Sequence, residues 1–254
     1  MLFQTKTLNG YKLDSLDGEF GQVGDFYFDD HHWTIRYLVA NTGNWLTGRL
    51  VLISPYALVA AIKAEEHIAV DLTRKQIEES PSINSDKPVS RQFEETYHAY
   101  YGLPTYWGGL YMWGSVPYIV RNPGQLASST QIENTRDSHL QSTDSVRGYH
   151  IQALDGEIGH VEDFIIDDQT WAIRYLVVDT GNWWPGKKVL VSPQWIDRVS
   201  WDETEVFINL SHEAIKKSPE YKGDALLTRD YETKLHEHYQ REGYWSGEFT
   251  DKLP

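Results

Sequence analysis

The apolar positions near the start of the chain come in short, strand-like runs divided by turn residues. Residues 21–28, GQVGDFYF, alternate towards a strand with Val23 directed inward and Phe26 and Phe28 as further candidates for the inner face. Residues 33–40, WTIRYLVA, hold the β-branched and aromatic side chains that suit a pleated, half-buried surface. Residues 50–53 are continuously apolar, the pattern of a strand covered on both faces, and 68–72 close the set. Turn signals fall between these runs at Asp17-Gly18, Asp29-Asp30, Thr42-Gly43-Asn44-Trp45 and Ser54-Pro55. Helical signals come next. Thr73 with Gln76 forms a capping box and Ser80-Pro81 stops that helix after about two turns. A second helix from Ser90 carries Phe93, Tyr97 and Tyr101 on one face. Five or six short strands at spacings of about 8–12 residues predict a small antiparallel barrel with a helical appendage.

The pattern then repeats. Residues 16–55 return at 154–193 with a constant offset of 138, no gap, and 25 identities in 40 positions. The register persists through Thr73/Ser211, Arg91/Arg229, Glu94/Glu232, His98/His236, Tyr106/Tyr244 and Trp107/Trp245, and upstream through Leu2/Leu140 and Thr5/Thr143. In the second copy Ser211 caps a helix without the reciprocal Gln, Ala214 standing there, and Thr228 starts the next one. A repeat this long is a domain rather than a solenoid unit. The expected organisation is a module over 1–116, a linker over 117–138 rich in polar residues with Pro, Gly and Ser, and a second module over 139–254. The tract 103–116 is aromatic and Gly-rich, too apolar for a solvated tether.

The stretch D-G-E-x-x-G-x-V-x-D-F, then D-D, then W-x-I-R-Y-L-V, then V-L-x-S-P stands at Asp17 to Pro55 and again at Asp155 to Pro193. It resembles the PRC-barrel family, the module shared by the cytoplasmic domain of the photosynthetic reaction-centre H subunit and the C-terminal half of the ribosome maturation factor. The resemblance implies a mainly β fold with short helices: two PRC-type small antiparallel β-barrels in tandem, related by an approximate two-fold axis. It implies a scaffold or adaptor rather than a catalyst and, by family analogy, an association with photosynthetic, electron-transport or stress-related machinery. The chain departs from the reaction-centre subunit in showing no N-terminal membrane helix, and from the maturation factor in showing no preceding translation-factor-like domain.

Charge narrows the partners. With 23 Lys and Arg against 37 Asp and Glu the net charge is −14, which disfavours nucleic acid and anionic membranes. There is no cysteine, no apolar run approaching the ~20 residues that span a bilayer, and no signal-peptide pattern at the start. The expected setting is the cytoplasm, with a protein partner, a homo-oligomer as a further possibility, and no direct membrane insertion.

Candidate chemistry is thin. Asp14, Asp17, Glu19, Asp25, Asp29 and Asp30 lack the ligand spacing of a Ca²⁺ loop and lie beside turns, where carboxylates accept backbone N–H groups. His31-His32 and His236-Glu237-His238 do not recur as pairs in the other copy. Ser54 and Ser192 precede proline outside any nucleophile elbow, and no phosphate-cradling glycine loop is present. No catalytic residue, metal site or cofactor is therefore expected.

Arg36 and Arg174 each interrupt an apolar strand. Alternation makes them outward-facing and paired with Asp29 or Asp25; the competing account is a charge buried between the two copies, which requires a paired carboxylate. Trp45, Trp183 and Trp184 fall in loops, and Tyr106, Trp107, Tyr244 and Trp245 follow the second helix of each copy. These aromatics are candidates for a partner surface, or for packing on the barrels. The competing functional reading is a ligand-binding protein or enzyme with an aromatic-lined pocket between the barrels.

Overall fold

The computed structural model describes residues 1–46, 48–62, 66–82, 89–103, 105–106, 140–181, 186–223 and 227–247. The expected linker over 117–138 lies outside them. The chain is mainly β, with two seven-stranded sheets and a few short helices. In chain order the elements are β1 (Leu2–Gln4), α1 (Thr5–Leu8), β2 (Lys12–Ser15), β3 (Gly18–Asp29), β4 (Thr34–Asn41), β5 (Leu50–Ile53), β6 (Leu58–Ile62), β7 (His67–Val70), α2 (Arg74–Glu78) and α3 (Arg91–Tyr101). They continue as β8 (Leu140–Ser142), α4 (Thr143–Val146), β9 (His150–Ala153), β10 (Gly156–Asp167), β11 (Ile173–Asp179), β12 (Lys188–Val191), β13 (Ile196–Ser200), β14 (Glu205–Ile208), α5 (His212–Lys217) and α6 (Arg229–His238).

One sheet has the order β5-β4-β3-β2-β7-β6, with β8 added on β3; the other has β12-β11-β10-β9-β14-β13, with β1 added on β10. Most pairs are antiparallel, but β2 runs parallel to β7 and β9 parallel to β14. Parallel neighbours require a long connection, and here β3 to β6, or β10 to β13, supply it.

Two compact units divide the chain. The first draws on Met1, residues from Phe3 to Ser145, and Phe164–Arg174; the second on Leu2, Val146–Asp163 and residues from Tyr175 onward. In the first unit Tyr27, Phe28 and Asp29 of β3 pair with Ser142, Gln141 and Leu140. The Asp25 carboxylate accepts hydroxyl hydrogens from Ser142 (2.5 Å) and Thr143 (2.7 Å) and the N–H of Asp144 (3.2 Å). Phe164 packs on Phe28 with ring centres 5.6 Å apart. The Ile35 N–H donates to the Trp171 carbonyl and the Ile173 N–H to that of Trp33, at 2.8 and 2.7 Å. Trp33 and Trp171 both have left-handed φ, 50° and 59°. That conformation is costly for a bulky side chain, and these reciprocal hydrogen bonds hold it.

The core of the first unit includes Leu13, Phe26, Phe28, Ile35, Leu38 and Ile68; that of the second includes Ile151, Val161, Tyr175, Leu176, Val189 and Val206. The capping box of Thr73 and Gln76 is formed, and Ser90 and Thr228 cap α3 and α6 through their side chains. Proline after Ser54 and Ser192 starts a single 3₁₀ turn rather than simply ending the ladder.

Candidate functional site

β4 is buried at Thr34 through Ala40, so both of its faces are covered and Arg36 has no solvent side to reach. Its guanidinium donates to Asp29 Oδ2 through Nε (3.1 Å) and Nη2 (2.6 Å), and its centre lies 4.2 Å from the ring centre of Tyr106. Burial alone would raise the Asp29 carboxyl, but the hydrogen bond from His32 and the charge of Arg36 outweigh it and hold the group well below the ordinary carboxylate range. Arg174 forms the corresponding pair with Asp167 at 3.0 Å and also donates to Thr170.

Beside this pair lies a buried polar constellation that sequence reasoning missed. Tyr37 of β4 donates to Glu94 Oε2 at 3.0 Å, and His98 Nε2 is 3.0 Å from the same phenol oxygen. Tyr106 donates to Glu94 Oε2 at 2.5 Å, and Arg91 lies 3.5 Å from Glu94 Oε1. Glu94 and His98 are four residues apart on α3, which puts both on the face turned to the sheet. Burial first, and then the charge of Glu94, push the phenols of Tyr37 and Tyr106 far above the usual tyrosine range. They are neutral donors at any physiological pH.

The second unit has the same set 138 residues on. Tyr175 and Tyr244 donate to Glu232 Oε1 at 3.0 and 2.9 Å, His236 Nε2 is 3.1 Å from the Tyr175 oxygen, and Arg229 pairs with Glu232 at 3.2 Å. Burial lowers the His236 imidazole below its ordinary value, against hydrogen bonds that act the other way. Below about pH 6.5 the unfolded chain therefore binds a proton that the folded chain resists. Stability should fall as pH drops from about 6.5 toward the folded-state value, and stay level with respect to this group above 6.5. Urea melts at several pH values should show that slope in the native chain and a flatter one in His236→Gln. An unchanged slope would assign the effect to other groups.

The described surface of the first unit has a different kind of feature. An open concavity of about 370 Å³ is lined by Glu19, Phe20, Gly21, Gln22, Asn41, Thr42, Gly43 and Trp45. The β3 hairpin supplies one wall and the turn after β4 the other. A Cβ on Gly21 would be driven into the Asn41 carbonyl, so glycine lets the two walls approach. Phe20 meets the Trp45 ring edge-on at 6.4 Å, and Arg74 stacks over Trp45 at 4.4 Å. Of the aromatic candidates, Trp45 lines this concavity, Tyr106 and Tyr244 belong to the buried constellations, and Trp245 is half-buried under Arg229 at 4.3 Å. Trp107, Trp183 and Trp184 lie outside the described residues.

Residues 143–214 match the PRC-barrel domain family. The PRC-barrel match takes in α4 through the start of α5, the strand-rich part of the second repeat. An uncharacterized protein of Deinococcus radiodurans is 32% identical over 97 residues, covering 38% of this chain and 34% of its own length. The chain thus spans about a third of that relative.

The remaining polar candidates have local partners. Ser54 and Ser192 accept the N–H groups of Tyr56 and Gln194, and Asp17 accepts the Arg74 N–H at the start of α2. His32 contacts Asp29 Oδ2 at 3.0 Å, and His238 contacts the Ala214 carbonyl at 2.7 Å. Among the described residues, no group of three or more His, Asp or Glu side chains is arranged to hold a metal ion. No described helix is long and apolar enough to cross a membrane.

Proposed function

We propose that this chain is a non-catalytic adaptor of tandem PRC-barrel type, working in the cytoplasm by docking a protein partner. The observation that carries this reading is the open concavity beside Trp45, a partly exposed ring edged by Glu19, Gln22 and Asn41. Interface centres are enriched in such aromatic anchors with polar groups around them. The buried acid–base groups are engaged with one another instead: Glu94 with two phenols, Asp29 with Arg36. Family analogy extends the reading to photosynthetic, electron-transport or stress-related assemblies as the kind of partner, and leaves room for self-association. The volume of the concavity also lies near the lower end of the range for small-ligand sites, which supports a ligand-binding reading as the alternative.

The test is affinity capture from native extract with the intact chain and with Trp45→Ala. Trp45 is partly exposed, so its removal should leave the melting curve close to that of the parent. The adaptor reading expects a defined set of proteins to be retained by the parent and lost by Trp45→Ala, a change of about tenfold or more for an anchor residue. Equal retention by both would remove the concavity from the function.

A further inference from the structure

The rings around Tyr37 form a continuous file. Ring centres are 5.2 Å apart from Tyr37 to Tyr97, 4.8 Å from Tyr97 to Tyr101, and 4.8 Å from Tyr101 to Tyr100. The file begins at a phenol with no exposed surface and ends at Tyr100, which is 40% exposed. At the buried end the phenol oxygen is held between Glu94 Oε2 and His98 Nε2, each at 3.0 Å. Phenols give up an electron readily only where the proton leaves in the same event, because the phenol radical cation is a very strong acid. Tyr37 combines an adjacent proton acceptor with a chain of aromatic rings to the surface.

We propose that Tyr37 is a one-electron relay, oxidised through the Tyr97–Tyr101–Tyr100 file by a high-potential one-electron oxidant that meets the protein at Tyr100. In the step, the Tyr37 O–H bond breaks and its proton passes to Glu94 Oε2, turning the carboxylate into a carboxylic acid. The electron tunnels across the file in the same event, the intervening phenols keeping their protons, the oxidant is reduced by one electron, and a neutral phenoxyl radical remains. The phenol oxygen stays within hydrogen-bond distance of His98 Nε2, at 3.0 Å. Return of one electron from a reductant, with the proton from Glu94, restores the starting state.

The second unit carries the same acid–base set with different ring carriers. Tyr175 has Glu232 and His236 at 3.0 and 3.1 Å, and rings continue from Tyr175 to Tyr244 (6.5 Å) and on to the half-buried Trp245 (5.1 Å). The position equivalent to Tyr97 is Leu235, but Trp195 stands against both His236 (5.1 Å) and Tyr239 (4.7 Å) where the first repeat has Ala57. A ring is lost at one position and another gained beside it, while the Tyr–Glu–His set is unchanged.

The experiment uses the full chain with a photogenerated ruthenium(III) tris-bipyridine oxidant and an irreversible electron acceptor, read by electron paramagnetic resonance and transient absorption. A long-lived neutral tyrosyl radical is expected. Its yield should fall severalfold in the double variant Tyr37→Phe/Tyr175→Phe and stay at the parental level in Tyr11→Phe, a buried phenol outside both files. In a Tyr175→Phe background, Glu94→Gln should slow radical formation and change its solvent deuterium isotope effect, which a purely structural role would leave alone. Also in that background, Tyr101→Leu cuts the file at a half-buried ring without touching Glu94, and should delay the Tyr37 radical even if the double variant folds poorly. A parental yield in the double variant, or a parental rate in both Glu94→Gln and Tyr101→Leu, overturns the relay.

Discussion

Asp29→Ala should lower the stability of the first unit by about 3–5 kcal/mol, the usual cost of stranding one member of a buried ion pair. The Arg36 side chain has no exposed surface, so the guanidinium cannot turn to water once its carboxylate is gone. Its stacking on Tyr106 at 4.2 Å recovers only part of that loss. Replacing both members together, as Asp29→Leu/Arg36→Met, should be far milder, because no uncompensated charge is left behind. The pair also makes a pH signature. The folded Asp29 carboxyl is held well below its unfolded value, so its contribution is fully present above about pH 4 and fades as pH falls toward the folded value. Denaturant melts of the three chains between neutral and acidic pH check both claims. An Asp29→Ala chain within about 0.5 kcal/mol of the parent would show that the buried charge is relieved in some other way.

Gly159→Ala should be nearly as damaging, at about 3 kcal/mol or more, from backbone strain and overpacking together. Gly159 has φ +140°, a conformation that side-chain-bearing residues rarely adopt, and it marks the register shift between β10 and β9. An added Cβ would be driven into the carbonyl of Asp179 and would lie 2.8 Å from the Thr180 Cα. Backbone, unlike a flexible side chain, cannot swing aside. Alanine at Gly148, also at positive φ but with open space around it, should cost only the conformational part, about 1 kcal/mol. Thermal melts of the two variants separate clash from strain: equal losses would mean that the Asp179 strand yields.

Local chemistry was legible in the sequence. The capping box at Thr73, the side-chain caps at Ser90 and Ser211, and the glycine turns at Asp17-Gly18 and Thr42-Gly43 depend on residues within a few positions of one another, and they form as the pattern predicts. Pairings across long separations were not legible. Tyr37 lies 57 and 61 residues from Glu94 and His98, and no local periodicity joins a strand to a later helix at that distance. A usable signal existed all the same. Tyr37, Arg91, Glu94, His98 and Tyr106 all recur identically at offset 138, with Glu94 and His98 one helical turn apart. Arg36 shows a second limit. Period-two alternation assigns an outward direction only where one face of a strand is open, and β4 is buried on both faces.

The placement of Leu140–Ser142 and Phe164–Arg174 in the first unit bears on how the protein is made. A chain leaving the ribosome presents β2 to α3 long before those later segments exist, so Tyr27–Asp29 of β3 and the Asp25 carboxylate have no mates while the next hundred or so residues are translated. At about 5–20 residues per second this leaves a strand edge bare for several seconds. Nascent copies on one polysome offer each other the same edge and the same LFQT and LQST segments, so trans-pairing between neighbouring polypeptides is the misassembly this arrangement predicts.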